Sequence, residues 1–215
     1  MSEKLYKQMA QAVIDGDDEE ASALAQSALE QGVDPLTAIN KGYTAGMDVV
    51  GELYSTGEYF LPDLILGGEA MKAALASLEP ALKASGQARE VAGVVVLGTV
   101  KGDIHEIGKS LVGSMLSANG FEVYDLGIDI EAGEFVAKAR EYKADIVALS
   151  ALLTTTMLHQ RDVIEHLAEA GLRDKVKVMV GGSPVTQGWA EQIGADGFAE
   201  DAAGAVGVAK KLMGA

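Results

Sequence analysis

Val94-Val95-Val96-Leu97-Gly98-Thr99-Val100-Lys101-Gly102-Asp103-Ile104-His105-Glu106-Ile107-Gly108 decides how this chain is read. A short apolar, β-branched run gives way to a glycine-punctuated loop, and the pattern turns helical from about residue 107. The same alternation continues downstream. Glu122-Val123-Tyr124, Ile146-Val147-Ala148-Leu149 and residues 176–180 are further strand candidates, and Phe198 marks a short fifth. Helical patterns near 107–119, 131–143, 157–170, 187–193 and 201–213 follow them in turn. Strand–helix alternation of this kind predicts a doubly wound parallel sheet. Ligands bind such sheets beyond the carboxyl ends of the strands, near the switch point. Asp103 and His105 fall in the loop after the first strand, Ser150 closes the third, and Gly181-Gly182 close the fourth. All three positions therefore belong to the ligand-binding edge.

Upstream of about residue 84 the pattern is helical. Leu5, Met9, Ala12 and Val13 recur at helical spacing before Gly16, and Asp17 or Asp18 can cap a second helix ending near Gly32. Pro35 opens a third helix toward Tyr54, and Pro62 opens a fourth toward Leu82, with Pro80 placed to kink or shorten it. Four amphipathic helices with short connections predict a small bundle, in which Gly42 and Gly46 let two backbones approach. Ala84-Ser85-Gly86-Gln87-Ala88 reads as a linker, dividing the chain into residues 1–86 and 87–215.

The chain has 215 residues, no cysteine, and 17 basic against 32 acidic residues, a formal charge of −15. Disulfides, thiolate nucleophiles and cysteine-based metal sites are excluded. So acidic a surface repels phosphate backbones, which argues against nucleic acid as a partner. No apolar run reaches the length of a membrane span, and the first residues do not resemble a secretory signal. A cytoplasmic protein is the expectation.

Gly98-Thr99-Val100-Lys101-Gly102 follows a strand but matches neither nucleotide-binding glycine pattern. His105 is the sharper feature. Imidazole binds transition metals, and its second nitrogen normally donates to a carboxylate that fixes the tautomer. Asp103 is placed to be that carboxylate. One histidine is too few for a bare zinc ion but suffices where a macrocycle supplies four equatorial nitrogens. His159, His166 and Trp189 read as ordinary half-buried or packing residues.

Taken together, Asp103-x-His105-x-x-Gly108, Ser150-x-Leu152 and Gly181-Gly182 resemble the cobalamin-binding motif of methionine synthase and of the corrinoid proteins of methyltransferase systems. The resemblance implies a four-helix bundle cap followed by a flavodoxin-like (Rossmann-like) five-stranded domain. It makes His105 the lower axial ligand to cobalt, in place of the cofactor's own dimethylbenzimidazole, whose displaced nucleotide tail enters a slot beside the sheet. Gly108, Ser150, Thr154, Gly181 and Gly182 match slot positions, and Glu106, Ile107 and Leu152 lie within the same motif. Thr156 matches a serine that extends the Asp103–His105 pair into a proton relay.

Gly57-Glu58-Tyr59-Phe60-Leu61-Pro62-Asp63 resembles the cap of methionine synthase, where one aromatic and one leucine cover the upper corrin face. Tyr54 and Leu61 hold those positions, the tyrosine replacing a phenylalanine. Residues 199–202 match a stretch along the corrin edge. The implied cofactor is cobalamin, cycling between cob(I)alamin and methylcobalamin on a carrier that turns over nothing by itself. The implied partners are a substrate-specific methyltransferase using a methylamine, methanol, methoxy compound or betaine, a second methyltransferase acting on tetrahydrofolate or a similar acceptor, and a reductive activation protein. The linker at 84–90 would then be a hinge for the cap. Two other readings share part of the motif, an adenosylcobalamin mutase subunit and a cobalamin-based sensor. A methyl-shielding cap disfavours the first, and the acidic charge and the absence of a tryptophan from the bundle disfavour the second.

Overall fold

Five parallel strands, β1 (Val94–Thr99), β2 (Glu122–Asp125), β3 (Ile146–Ser150), β4 (Lys177–Gly181) and β5 (Gly197–Ala199), pair in the order β2-β1-β3-β4-β5 in a computed structural model describing residues 2–85 and 91–214. This is the doubly wound order with its reversal between β1 and β3. The central strands are buried almost throughout, as expected of a parallel sheet covered on both faces. The helices are α6 (Ile107–Ala118), α7 (Ala132–Glu141), α8 (Leu158–Glu169), α9 (Gln187–Ile193) and α10 (Ala202–Leu212). Register aligns the strand ends: Thr99 pairs with Ser150, Ser150 with Gly181, and Gly181 with Ala199. The motif positions are thus brought side by side at the sheet's carboxyl edge.

The chain divides into two units, Met1–Glu90 with Ser117–Asn119, and Val91–Leu116 with Gly120–Ala215. The first is helical: α1 (Ser2–Ile14), α2 (Asp18–Glu30), α3 (Pro35–Ala38), α4 (Thr44–Thr56) and α5 (Leu61–Ser85). Asp17 caps α2 by accepting from Glu20 N at 2.9 Å. The expected third helix is interrupted: a π turn over Ile39–Tyr43 separates α3 from α4. Gly42 and Gly46 do permit close packing. A Cβ on Gly46 would lie 2.5 Å from the Ala10 carbonyl oxygen, and one on Gly42 would lie 2.8 Å from Met9 Sδ. Tyr43 is fully buried and donates to Ala21 O at 2.8 Å.

Pro80 does not shorten the fourth helix. α5 runs five residues past it to Ser85, so Ala84 and Ser85 belong to that helix rather than to a linker. A proline removes one backbone donor, and α5 continues with its buried stripe of Leu64, Ala70, Met71, Ala74, Leu78 and Leu82. Residues 86–90 of the expected linker, and with them the hinge, lie outside the described residues. Among the described residues no helix is long and apolar enough to cross a membrane.

Candidate cofactor site

The loop between β1 and α6 is built around a buried carboxylate. Asp103 is fully buried, and every one of its polar contacts lies within the second unit. Its Oδ1 accepts from the His105 backbone N–H at 3.0 Å and pairs with His105 Nδ1 at 2.7 Å. Its Oδ2 accepts from Leu152 N at 2.7 Å and from the Thr156 hydroxyl at 2.6 Å. Burial by itself would raise the carboxyl pKa. The hydrogen bonds from Thr156, Leu152 and His105 outweigh it and hold Asp103 well below the usual carboxylate range. An ionised Asp103 fixes the imidazole with Nδ1 as its donor. Among the described residues Nε2 has no protein partner, and the His105 side chain is 46% exposed.

Buried Thr99 secures the loop from below, its hydroxyl donating to the His105 carbonyl at 3.0 Å. Beside the exposed Glu106, two apolar residues near His105 also face solvent: Ile104 is 70% exposed and Ile107 89%. Solvent-facing isoleucines on both sides of a metal-ligating residue type mark a surface suited to an apolar ligand.

Beside this loop a cleft of about 1110 Å³ runs along the carboxyl ends of the strands. His105, Glu106, Ile107, Gly108, Ser150, Leu152, Gly181 and Gly182 all line it, together with apolar wall residues such as Leu97, Ala148, Met179 and Ala205. Glu200, Asp201 and Ala202 stand at the same cleft. The glycines differ in kind. Gly108 lines the cleft, and a Cβ on it would meet no protein atom within 4 Å. Gly182 has φ +119, and a Cβ there would collide with the Ala151 backbone, while one on Gly181 would lie 3.1 Å from Ala199 O. Gly182 is therefore required by the fold, whereas Gly108 leaves the cleft unobstructed.

Thr154 is exposed on the turn after β3 and is not among the cleft residues. Tyr54 and Leu61 belong to the helical unit. Tyr54 is half-buried in the last turn of α4, and Leu61 begins α5 at 39% exposure beside Phe60 at 67%. They flank the turn at Gly57 in the sequence, and Phe60 and Leu61 are the exposed apolar residues of that stretch.

Several residues carried no signal in the sequence. Lys109 is buried and ion-paired with Asp125, although a lysine opening a helix reads as solvated. Gln160 is fully buried and its amide donates to both Leu149 O and Gly181 O at 3.1 Å, while its oxygen accepts from Trp189 Nε1 at 2.9 Å. It ties β3 to β4 directly behind the cleft. Asp129 braces the loop itself.

One imidazole with a carboxylate-fixed tautomer suits a metal that brings its own equatorial ligands. Among the described residues no group of three or more His, Asp or Glu is placed to hold a bare ion. The donor set, the apolar rim and the long cleft fit a corrinoid.

Comparison with known proteins agrees. Residues 93–207 match the B12 binding domain family, and residues 5–79 match a second family also described as a B12 binding domain. A corrinoid protein of Desulfitobacterium hafniense (strain Y51) is 49% identical over 98% of each chain. A trimethylamine corrinoid protein of Methanosarcina barkeri is 47% identical over 98% of this chain and 97% of its own length. Among solved structures, the methanol:cobalamin methyltransferase complex MtaBC from Methanosarcina barkeri matches with a TM-score of 0.88 and 33% identity, over 98% of this chain and 80% of that one.

Proposed function

This chain belongs to the corrinoid proteins of methyltransferase systems, with cobalamin as cofactor, and from that premise we propose that it carries a methyl group between two partner enzymes. One partner is a substrate-specific methyltransferase; the relatives' trimethylamine, dimethylamine and methanol systems point to a donor of that class. The other passes the group to tetrahydrofolate or a similar acceptor, and a reductive activation protein restores carriers lost to oxidation. Residues 87–215 hold the cofactor and residues 1–86 form its cap.

The observation that carries this reading is the Thr156–Asp103–His105 chain at the mouth of the cleft. Bound cobalamin supplies a cobalt centre able to accept and release a methyl group. His105 Nε2 is the atom that would hold it. Asp103 keeps the Nδ1 proton in place and so leaves Nε2 as the ligating atom. The Asp103 carboxylate is itself held by Thr156, so the three side chains act as one unit that fixes the orientation of the imidazole. Gly108 leaves room for the displaced nucleotide tail, and Ser150 contributes a hydroxyl to that slot. Tyr54 and Leu61 would shield the bound group from water until a partner docks.

Electron paramagnetic resonance of the protein loaded with cob(II)alamin and labelled with nitrogen-15 histidine tests the central assignment. Splitting that changes from three lines to two places histidine on cobalt. Unchanged three-line splitting means that the cofactor keeps its own base, and defeats it.

A further inference from the structure

The loop that carries His105 is braced along its length by the segment between β2 and α7. Val100 bridges to Ile130, and Lys101 Nζ pairs with Glu131 Oε1 at 2.8 Å. Next to these contacts lies Asp129. Its backbone N–H donates to Asp103 O at 3.0 Å, and its Oδ1 accepts from Gly102 N at 2.6 Å. Asp129 achieves both by adopting φ +56, a left-handed conformation that only one other non-glycine among the described residues shares. Aspartate and asparagine tolerate this region better than other side-chain-bearing residues, but it still costs energy.

Asp129 is exposed and contributes nothing to the buried core. Its strain serves two bonds that straddle one peptide unit, the one leading into Asp103. The side chain of Asp103 is fixed by Thr156 and Leu152; its backbone is fixed by Asp129. Strained backbone outside the core, committed wholly to a ligand-bearing loop, is the pattern of a preorganising residue.

We infer that Asp129 is a positioning residue for His105, setting the height and orientation of the imidazole before cofactor arrives. The inference rests on His105 as the cobalt ligand. Because Asp129 touches neither imidazole nor cleft, it acts through the backbone of Gly102 and Asp103 alone. The segment also remains braced when His105 is off the metal, so the imidazole returns to the same place.

The test compares Asp129→Ala, Asp129→Gly and Asp129→Asn. Alanine loses the acceptor and disfavours the left-handed backbone; glycine keeps the backbone and loses only the acceptor; asparagine keeps both. In cob(II)alamin-loaded protein the ratio of histidine-off to histidine-on signal should rise about tenfold in Asp129→Ala, which loses the bond and the left-handed backbone preference together. It should rise less in Asp129→Gly and stay within about twofold of wild type in Asp129→Asn. In cofactor-free protein, amide exchange at Gly102–His105 should accelerate by a similar factor in Asp129→Ala, while β3 and β4 amides stay unchanged.

Unchanged histidine splitting and unchanged loop exchange in Asp129→Ala overturn the inference, as does acceleration spread equally over the whole unit. If Asp129→Ala does not fold, the same comparisons on Asp129→Gly decide the matter. A wild-type spectrum without histidine splitting would sink the ligand assignment instead, and the exchange data would still decide whether Asp129 braces the loop.

Discussion

The Thr156 hydroxyl donates to Asp103 Oδ2 at 2.6 Å across 53 residues of sequence, joining the turn after β3 to the loop after β1. These are the two strands between which the strand order reverses, so the bond crosses the switch point itself. A ligand loop hung on one strand is thereby indexed to its neighbour.

Thr156→Val removes that hydroxyl with little change of shape. It should cost about 1–2 kcal/mol of stability in urea unfolding, because a buried carboxylate oxygen loses a donor. The histidine-on fraction should fall as well. Thr156→Ser should restore both, and an unaffected valine variant would remove Thr156 from the chain of proton-holding groups.

Two of the cleft glycines, Gly108 and Gly182, should respond in opposite ways. A Cβ at position 108 meets no protein atom and leucine improves helix propensity, so the cofactor-free Gly108→Leu protein should be as stable as wild type or up to about 1 kcal/mol more so. Its cobalamin affinity should fall by about a hundredfold or more, roughly the penalty for overfilling a site. Affinity for cobinamide, which lacks the nucleotide tail, should change little. Gly182→Ala should instead destabilise the fold by about 2–4 kcal/mol, since it forces a left-handed alanine against the Ala151 backbone. Calorimetry paired with cofactor titration separates the two.

Replacing Tyr54 and Leu61 together by alanine should accelerate light-driven loss of the methyl group from the methylcobalamin-loaded protein, because an apolar cover that cages the fragments is gone. Equal photolysis rates would reduce the pair to bundle packing. The Phe60 neighbour, more exposed than either, is the natural third site to vary.

Burial, and then the nearby Glu20, raise the pKa of the Tyr43 phenol. The folded state therefore keeps a proton that the unfolded chain releases near its ordinary value of 10.0. This contribution to stability is fully present below that value and is lost as pH rises beyond it. Tyr43→Phe should cost about 1 kcal/mol at neutral pH through its hydrogen bond to Ala21 O. The gap to wild type should narrow above pH 10, because phenylalanine has no proton to lose. A constant gap across the alkaline range would refute the buried-phenol account.

The sheet was legible because its strands are short runs of Val, Ile and Leu bounded by glycines, and both faces are buried. The motif residues could be placed on one edge for the same reason: Ser150 and Gly181 end strands that pair in register. What escaped the sequence were features set by three-dimensional proximity. The π turn at Ile39–Tyr43 has no periodic signature, since one extra residue in a turn shifts the apolar stripe only slightly. Pro80 was overweighted, because tertiary packing along α5 outweighs one missing backbone bond. Gln160 and Asp129 read as unremarkable polar residues; their partners come from other strands and loops, at distances no local window contains.

Gln160 has one more consequence. Its oxygen holds the indole of Trp189, the chain's single tryptophan, while its nitrogen holds the carbonyls of Leu149 and Gly181. The residues next in line, Ser150 and Gly182, face the cleft. The protein thus carries its own optical reporter: one indole, hydrogen-bonded to the junction where two strands meet the cofactor slot. Ultraviolet emission from unlabelled protein can follow the filling of that slot in real time, with no second tryptophan to confuse the trace.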